Sequence, residues 1–137
     1  MLSARNKIRG IVSEVRCEGV MGIVKVTAGE NKITAVITAD SVRDLKIEIG
    51  KKVVAVIKAT EVMIANTPQQ MSARNQLSGT VSSVSKDDLM AIVKLDIAED
   101  TGITAIISKE AAEQLQLAAG VEAVAIIKST SVMIAAD

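Results

Sequence analysis

The chain has 137 residues, 49% of them hydrophobic, with sixteen basic side chains balancing sixteen acidic ones and no Phe, Tyr or Trp. The apolar content supports a folded core, while balanced charge and missing aromatic stacking platforms argue against nucleic acid as a partner. No apolar run reaches the roughly 18–20 residues of a membrane-spanning helix, and a small, all-aliphatic core buries little area, which favours an oligomer.

Taken in order, Ile8–Val15, Ile23–Thr27 and Ile33–Thr38 are short β-branched segments and read as strands. Gly10, Gly19, Gly22 and Gly29 suit the bulges and turns around them. Ala39–Lys46 breaks the pattern: Val42 and Leu45 lie three apart among polar residues, which predicts a short helix capped by Thr38 and closed before Gly50. Val53–Ala59 and Val62–Ala65 return to strand character.

The same text then repeats. Ser3-Ala4-Arg5-Asn6 returns as Ser72-Ala73-Arg74-Asn75, and Ile33-Thr34-Ala35-Val36-Ile37 as Ile103-Thr104-Ala105-Ile106-Ile107. Val62-Met63-Ile64-Ala65 returns as Val132-Met133-Ile134-Ala135. One residue is inserted in the second copy, near Gly102, and the second helix is predicted over Lys109–Gln116 with Ser108 as its cap. Residues 1–66 therefore form one module, 67–70 a polar linker holding the only proline, and 71–137 a second module. Five strands with a helix between the third and fourth is the layout of a small OB-like barrel, so the expected fold is all-β with short helices.

Catalysis is not expected. The chain has no His, hence no imidazole base and no His-ligated metal. It has one cysteine, Cys17, so neither an internal disulfide nor a Cys-built zinc site can form. No phosphate-cradling glycine loop occurs. Asp87-Asp88 and Glu99-Asp100 read as solvated turns. The first residues lack the apolar core of a signal peptide, which makes the cytoplasm the default compartment.

Hydrogen-bond donors recur instead. Ser3 and Arg5 open the first copy, and Ser72 and Arg74 the second. Thr38 and Ser108 begin the helices, while Lys58 and Lys128 end apolar runs before Ala59 and Ser129. Converging donors with a few positive charges suit a tetrahedral oxyanion. Each has a plainer reading: the hydroxyls as ordinary N-caps, the arginines as surface partners of carboxylates, the lysines as guards of a strand edge. Met63 and Met133 read as core, and Cys17 as incidental, its counterpart being Lys86.

Three ordered motifs, each present twice, decide between these readings. Ser-Ala-Arg-Asn-x-[Ile/Leu]-x-Gly, Ile-Thr-Ala-[Val/Ile]-Ile-[Thr/Ser] and Ile-Lys-[Ala/Ser]-Thr-x-Val-Met-Ile-Ala resemble the molybdate-binding Mop module. Two copies over essentially the whole chain resemble the tandem, di-Mop molbindins. The resemblance implies OB-like modules with strand exchange, a homotrimer, and cytoplasmic storage of molybdate or tungstate. The ligand would be held by hydrogen bonds, with no metal coordinated directly by protein atoms and no cofactor. It implies oxyanion contacts from Ser3, Ala4 and Arg5, met by Thr38, Ser41, Lys58 and Ala59 of a facing module. The matching positions in the second copy are Ser72, Ala73, Arg74, Ser108, Lys128 and Ser129. Similar modules also occur fused to DNA-binding and transporter domains, so the alternative is a ligand-sensing module that regulates a partner. One departure stands out: Ser41 becomes Ala111. Either the two sites differ in affinity, by about tenfold for one lost bond to a charged group, or Ser129 supplies the missing bond.

Overall fold

The computed structural model describes residues 5–71 and 74–137, without the side chains of Arg5 and Arg74. In the first copy β1 (Arg5–Glu18), β2 (Met21–Ala28) and β3 (Asn31–Thr38) lead into α1 (Ala39–Asp44), β4 (Lys52–Lys58), a 3-10 turn at Ala59–Glu61 and β5 (Met63–Ala65). The second copy repeats the order: β6 (Arg74–Lys86), β7 (Met90–Ala98), β8 (Thr101–Ser108), α2 (Lys109–Gln114), β9 (Glu122–Lys128), a 3-10 turn at Ser129–Ser131 and β10 (Met133–Ala136). The all-β reading with short helices holds, as two curled five-stranded sheets.

β1 and β6 run further than alternation alone suggests. A bulge between Val12 and Glu14, matched by one between Val81 and Ser83, shifts the register against β2 and β7. The extra residue resets which side chains face inward, so a strict period of two breaks mid-strand although pairing continues. The bend also brings Val12 to the loop before β4, where its N–H donates to the Lys51 carbonyl and its carbonyl accepts from Gly50. Val81 makes the same pair with Val121 and Gly120. The inserted residue of the second copy is absorbed at Ile97, where a register shift lies between Asp96 and Ala98, ahead of the hairpin turn.

Both helices stop sooner than their sequences suggest. At α1 the Ile47 N–H reaches back to the Val42 carbonyl and the Lys46 N–H to Arg43, a Schellman closure that leaves Lys46 at φ 53. Gln116 takes the same left-handed position after α2, at φ 54. Val42 and Ile47, the apolar pair that accompanies this closure, both enter the core.

The strands do not sort by copy. One sheet has the order β10-β4-β1-β2-β3, the other β5-β9-β6-β7-β8. β10 pairs antiparallel with β4, Met133 opposite Val56, and β5 pairs with β9, Met63 opposite Ile126. The fifth strand of each sheet thus comes from the other copy, as the strand-exchanged reading implied. The chain accordingly divides into two compact units. The first holds Lys7–Ile57 with Lys128–Asp137, and the second holds Lys58–Ile127 joined by Asn6.

Each unit has its own aliphatic core. In the first, Val12, Val24, Val26, Val42, Ile47 and Val53 cluster, with Ile134 of the exchanged strand packed against them. In the second, Val81, Val93, Leu95, Ile103 and Ile127 are fully buried. Burying one such side chain contributes roughly 1.5–3 kcal/mol.

Candidate functional site

Thr38 ends β3 as the N-cap of α1, its hydroxyl accepting the Ser41 N–H at 3.1 Å and donating to the Ser41 hydroxyl at 2.8 Å. Ser108 caps α2 by accepting the Ala111 N–H at 3.0 Å. The plain capping role therefore exists in both copies, but it leaves different groups outward. In the first copy the Thr38 proton is used on Ser41, so the donating end of the chain is the Ser41 hydroxyl. In the second, Ala111 carries no hydroxyl and Ser108 itself is the terminal donor.

Lys58 and Lys128 close β4 and β9, with exposed side chains, one residue before the 3-10 turns. The first residue of each turn points inward: Ala59 is 1% exposed and Ser129 5%. The turn at Ser129–Ser131 packs against β3, and the turn at Ala59–Glu61 against β8. Strand exchange thus crosses the expected sets. Thr38 and Ser41 share a unit with Lys128 and Ser129, while Ser108 and Ala111 share one with Lys58 and Ala59. The grouping of Thr38 and Ser41 with Lys58 and Ala59, which the resemblance implied, is divided between two units. Ser129 consequently falls in the unit that holds Ser41, and Ala111 falls in the other.

Ser3, Ala4, Ser72 and Ala73 lie outside the described residues, as do the side chains of Arg5 and Arg74. The residue that follows in the motif is informative. Asn6 is 7% exposed, and its carboxamide donates to the Thr104 carbonyl and accepts the Thr104 N–H, both at 2.8 Å. Thr104 sits in β8, the edge strand of its sheet. The Asn6 side chain thereby takes up both main-chain groups that a further strand would pair. Asn75, its counterpart, is 6% exposed. Neither asparagine was among the expected site residues. The signal was available: an amide repeated in both copies, two positions before the inward Ile8 or Leu77, falls on the buried face of a strand.

The carboxylates behave as turn residues. Asp87 accepts the N–H groups of Leu89 at 2.8 Å and Met90 at 2.7 Å, which hold its carboxyl below the ordinary range. Among the described residues no three His, Cys, Asp or Glu groups converge on a point fit for a metal ion. Among the described residues no helix is long and apolar enough to cross a membrane.

A family model described as the TOBE domain matches residues 2–64 and again residues 71–134. This chain belongs to the TOBE-domain family. Its two TOBE repeats are similar to a molybdenum transport protein, ModE, of Azotobacter vinelandii, at 38% identity over 97% of this chain and 50% of that protein. A single repeat is similar to molybdenum-pterin-binding protein 1 of Clostridium pasteurianum, 48% identical over 48% of this chain and 97% of the relative. Among solved structures, the cytoplasmic molybdate-binding protein ModG with molybdate bound superposes with a TM-score of 0.95 at 37% identity, covering 99% of both chains. The tandem TOBE chain spans about half the length of the curated relatives it matches end to end.

Proposed function

We propose that this TOBE chain binds molybdate, or the near-identical tungstate, as an intact oxyanion and serves to store and buffer it in the cytoplasm. The observation that carries the reading is the match in fold over 99% of both chains to a protein solved with molybdate bound. Each compact unit supports it with the same kind of donors: a hydroxyl at the end of its third strand and a lysine before a 3-10 turn packed on that strand. Such a set holds a dianion by charge-assisted hydrogen bonds. Protein is then a container, not a catalyst. Ser3, Ala4, Arg5 and their counterparts Ser72, Ala73 and Arg74 complete the donor set in this reading, and the working form is a homotrimer.

Titration calorimetry of the full chain with sodium molybdate, tungstate and sulfate tests this. Tight binding of the first two and weak binding of sulfate is expected, with uptake abolished in an Arg5→Ala, Arg74→Ala double variant. Equally tight sulfate binding, or full uptake by the variant, overturns it. The mass of the protein in solution tests the trimer.

A second reading draws on the ModE relatives, of which this chain spans half: a sensing module whose ligand state controls a partner protein or transporter. Partner capture from a lysate that changes on adding molybdate favours it over storage.

A further inference from the structure

We infer that Asn6 is a positioning residue for oxyanion binding: its carboxamide fastens the donors Ser3, Ala4 and Arg5, which precede it in the chain, to the unit that carries Lys58, Ala59 and Ser108. The inference rests on the molybdate-binding reading above and adds to it a residue that acts on the ligand only through its neighbours.

Three features of the second unit meet on β8. The Asn6 carboxamide grips Thr104 at mid-strand, donating to its carbonyl and accepting its N–H. The 3-10 turn at Ala59–Glu61, which follows Lys58, packs against the same strand. Ser108 ends that strand as the cap of α2. All of them lie in one compact unit, although Asn6 stands at the start of the first copy. From Thr104 to Ser108 is about 13 Å of strand, and Ser3 is separated from Asn6 by at most about 11 Å of chain. Donors fastened at Asn6 are therefore within reach of an anion at the end of β8.

The kind of bond matters as much as its place. A carboxamide carries a donor and an acceptor side by side, so it matches the N–H and carbonyl of one edge-strand residue in a single register. A carboxylate could not donate, and an apolar side chain would hold the segment in no particular register. β1 meets β2 only from Ile11 onward, so Asn6 is a fixed point well ahead of that ladder. Donors joined to a fixed point are ordered before the anion arrives, and their ordering no longer opposes binding. Asn75 follows Ser72, Ala73 and Arg74 in the same way and is likewise buried.

Calorimetry of the full chain with sodium molybdate, paired with urea unfolding, tests this. Asn6→Ala should weaken binding at the sites it serves by about tenfold, the effect of ordering two or three loosened side chains on binding. Val81→Ala, a core substitution in the same unit, should lose as much stability or more with affinity unchanged. Asn6→Gln keeps both hydrogen-bonding groups on a longer arm, so it should stay closer to the parent in stability and still bind more weakly. Made in an Arg5→Ala background, Asn6→Ala should weaken binding little further, because the two residues act as a unit. Affinity that follows stability alone across the three variants, or losses from Asn6→Ala and Arg5→Ala that add, overturns the inference while leaving molybdate binding intact. No binding by the parent protein overturns the functional reading itself.

Discussion

Asn6 makes with one side chain the two hydrogen bonds that a neighbouring strand would otherwise have offered Thr104. Removing it leaves the N–H and carbonyl of an edge strand unpaired at a half-buried position, a loss of roughly 1–3 kcal/mol. Asn6→Ala should accordingly lower stability by about that much in urea denaturation, against a negligible change for Arg9→Ala, whose exposed ion pair with Asp137 at 3.5 Å contributes little. Asp87 acts in the opposite setting, fully in solvent. Its carboxylate is held ionised by the Leu89 and Met90 N–H groups, so its folded pKa is lowered. The sign follows: the contribution is present above the unfolded value of about 3.9 and is lost as pH falls through the folded one. Asp87→Ala should lower the melting temperature at neutral pH, and the gap to the parent should close as the pH falls through the lowered folded pKa. A gap that widens in acid would contradict this assignment. Asp87 was legible as a turn residue from its place between two apolar runs; Asn6 was legible only as a repeated letter, since its partner is 98 positions away.

At the scale of elements, the two copies solve one packing problem with different residues. Gly22 in β2 lies under α1, where an added Cβ would come within 2.7 Å of a Val42 methyl. The second copy has Ala91 at that strand position and Ala112 on the helix, both fully buried. A larger strand residue is matched by a smaller helix residue, which keeps the interior filled without overlap. Gly22→Ala should therefore destabilise by about 1–3 kcal/mol through overpacking, and Val42→Ala added to it should restore part of the loss. An additive double variant, measured by denaturant unfolding, would show that the two positions do not share the space. The helix ends follow from the same economy of short elements. Lys46 and Gln116 occupy a left-handed position that glycine ordinarily takes, and nothing in their side chains announces it. The register of the apolar Val42–Ile47 pair imposes that conformation, so each helix ends two residues before its polar and apolar pattern does.

For the whole molecule, the exchange of β5 and β10 sets which residues depend on one another. Ile134 belongs to the second copy but packs on the Val12, Val24 and Val53 core of the first unit. Ile134→Ala should reduce hydrogen-exchange protection most in β1, β2 and β4, with the second unit's β6–β8 less affected. Loss confined to β6–β9 would mean that each fifth strand closes its own copy in solution. By itself the sequence determined the repeated β-module, the place of each turn and helix, the aliphatic core and the kinds of donor available. Alternation, caps and glycines are local signals, and they were read locally. It could not determine which fifth strand closes which sheet, because Val62-Met63-Ile64-Ala65 and Val132-Met133-Ile134-Ala135 are the same four residues and offer either sheet the same apolar face. Only the tertiary structure decided that choice, through the course of the chain after Lys58 and Lys128. With it came the placing of Ser129 in one unit with Thr38 and Ser41, a grouping that no local pattern encodes.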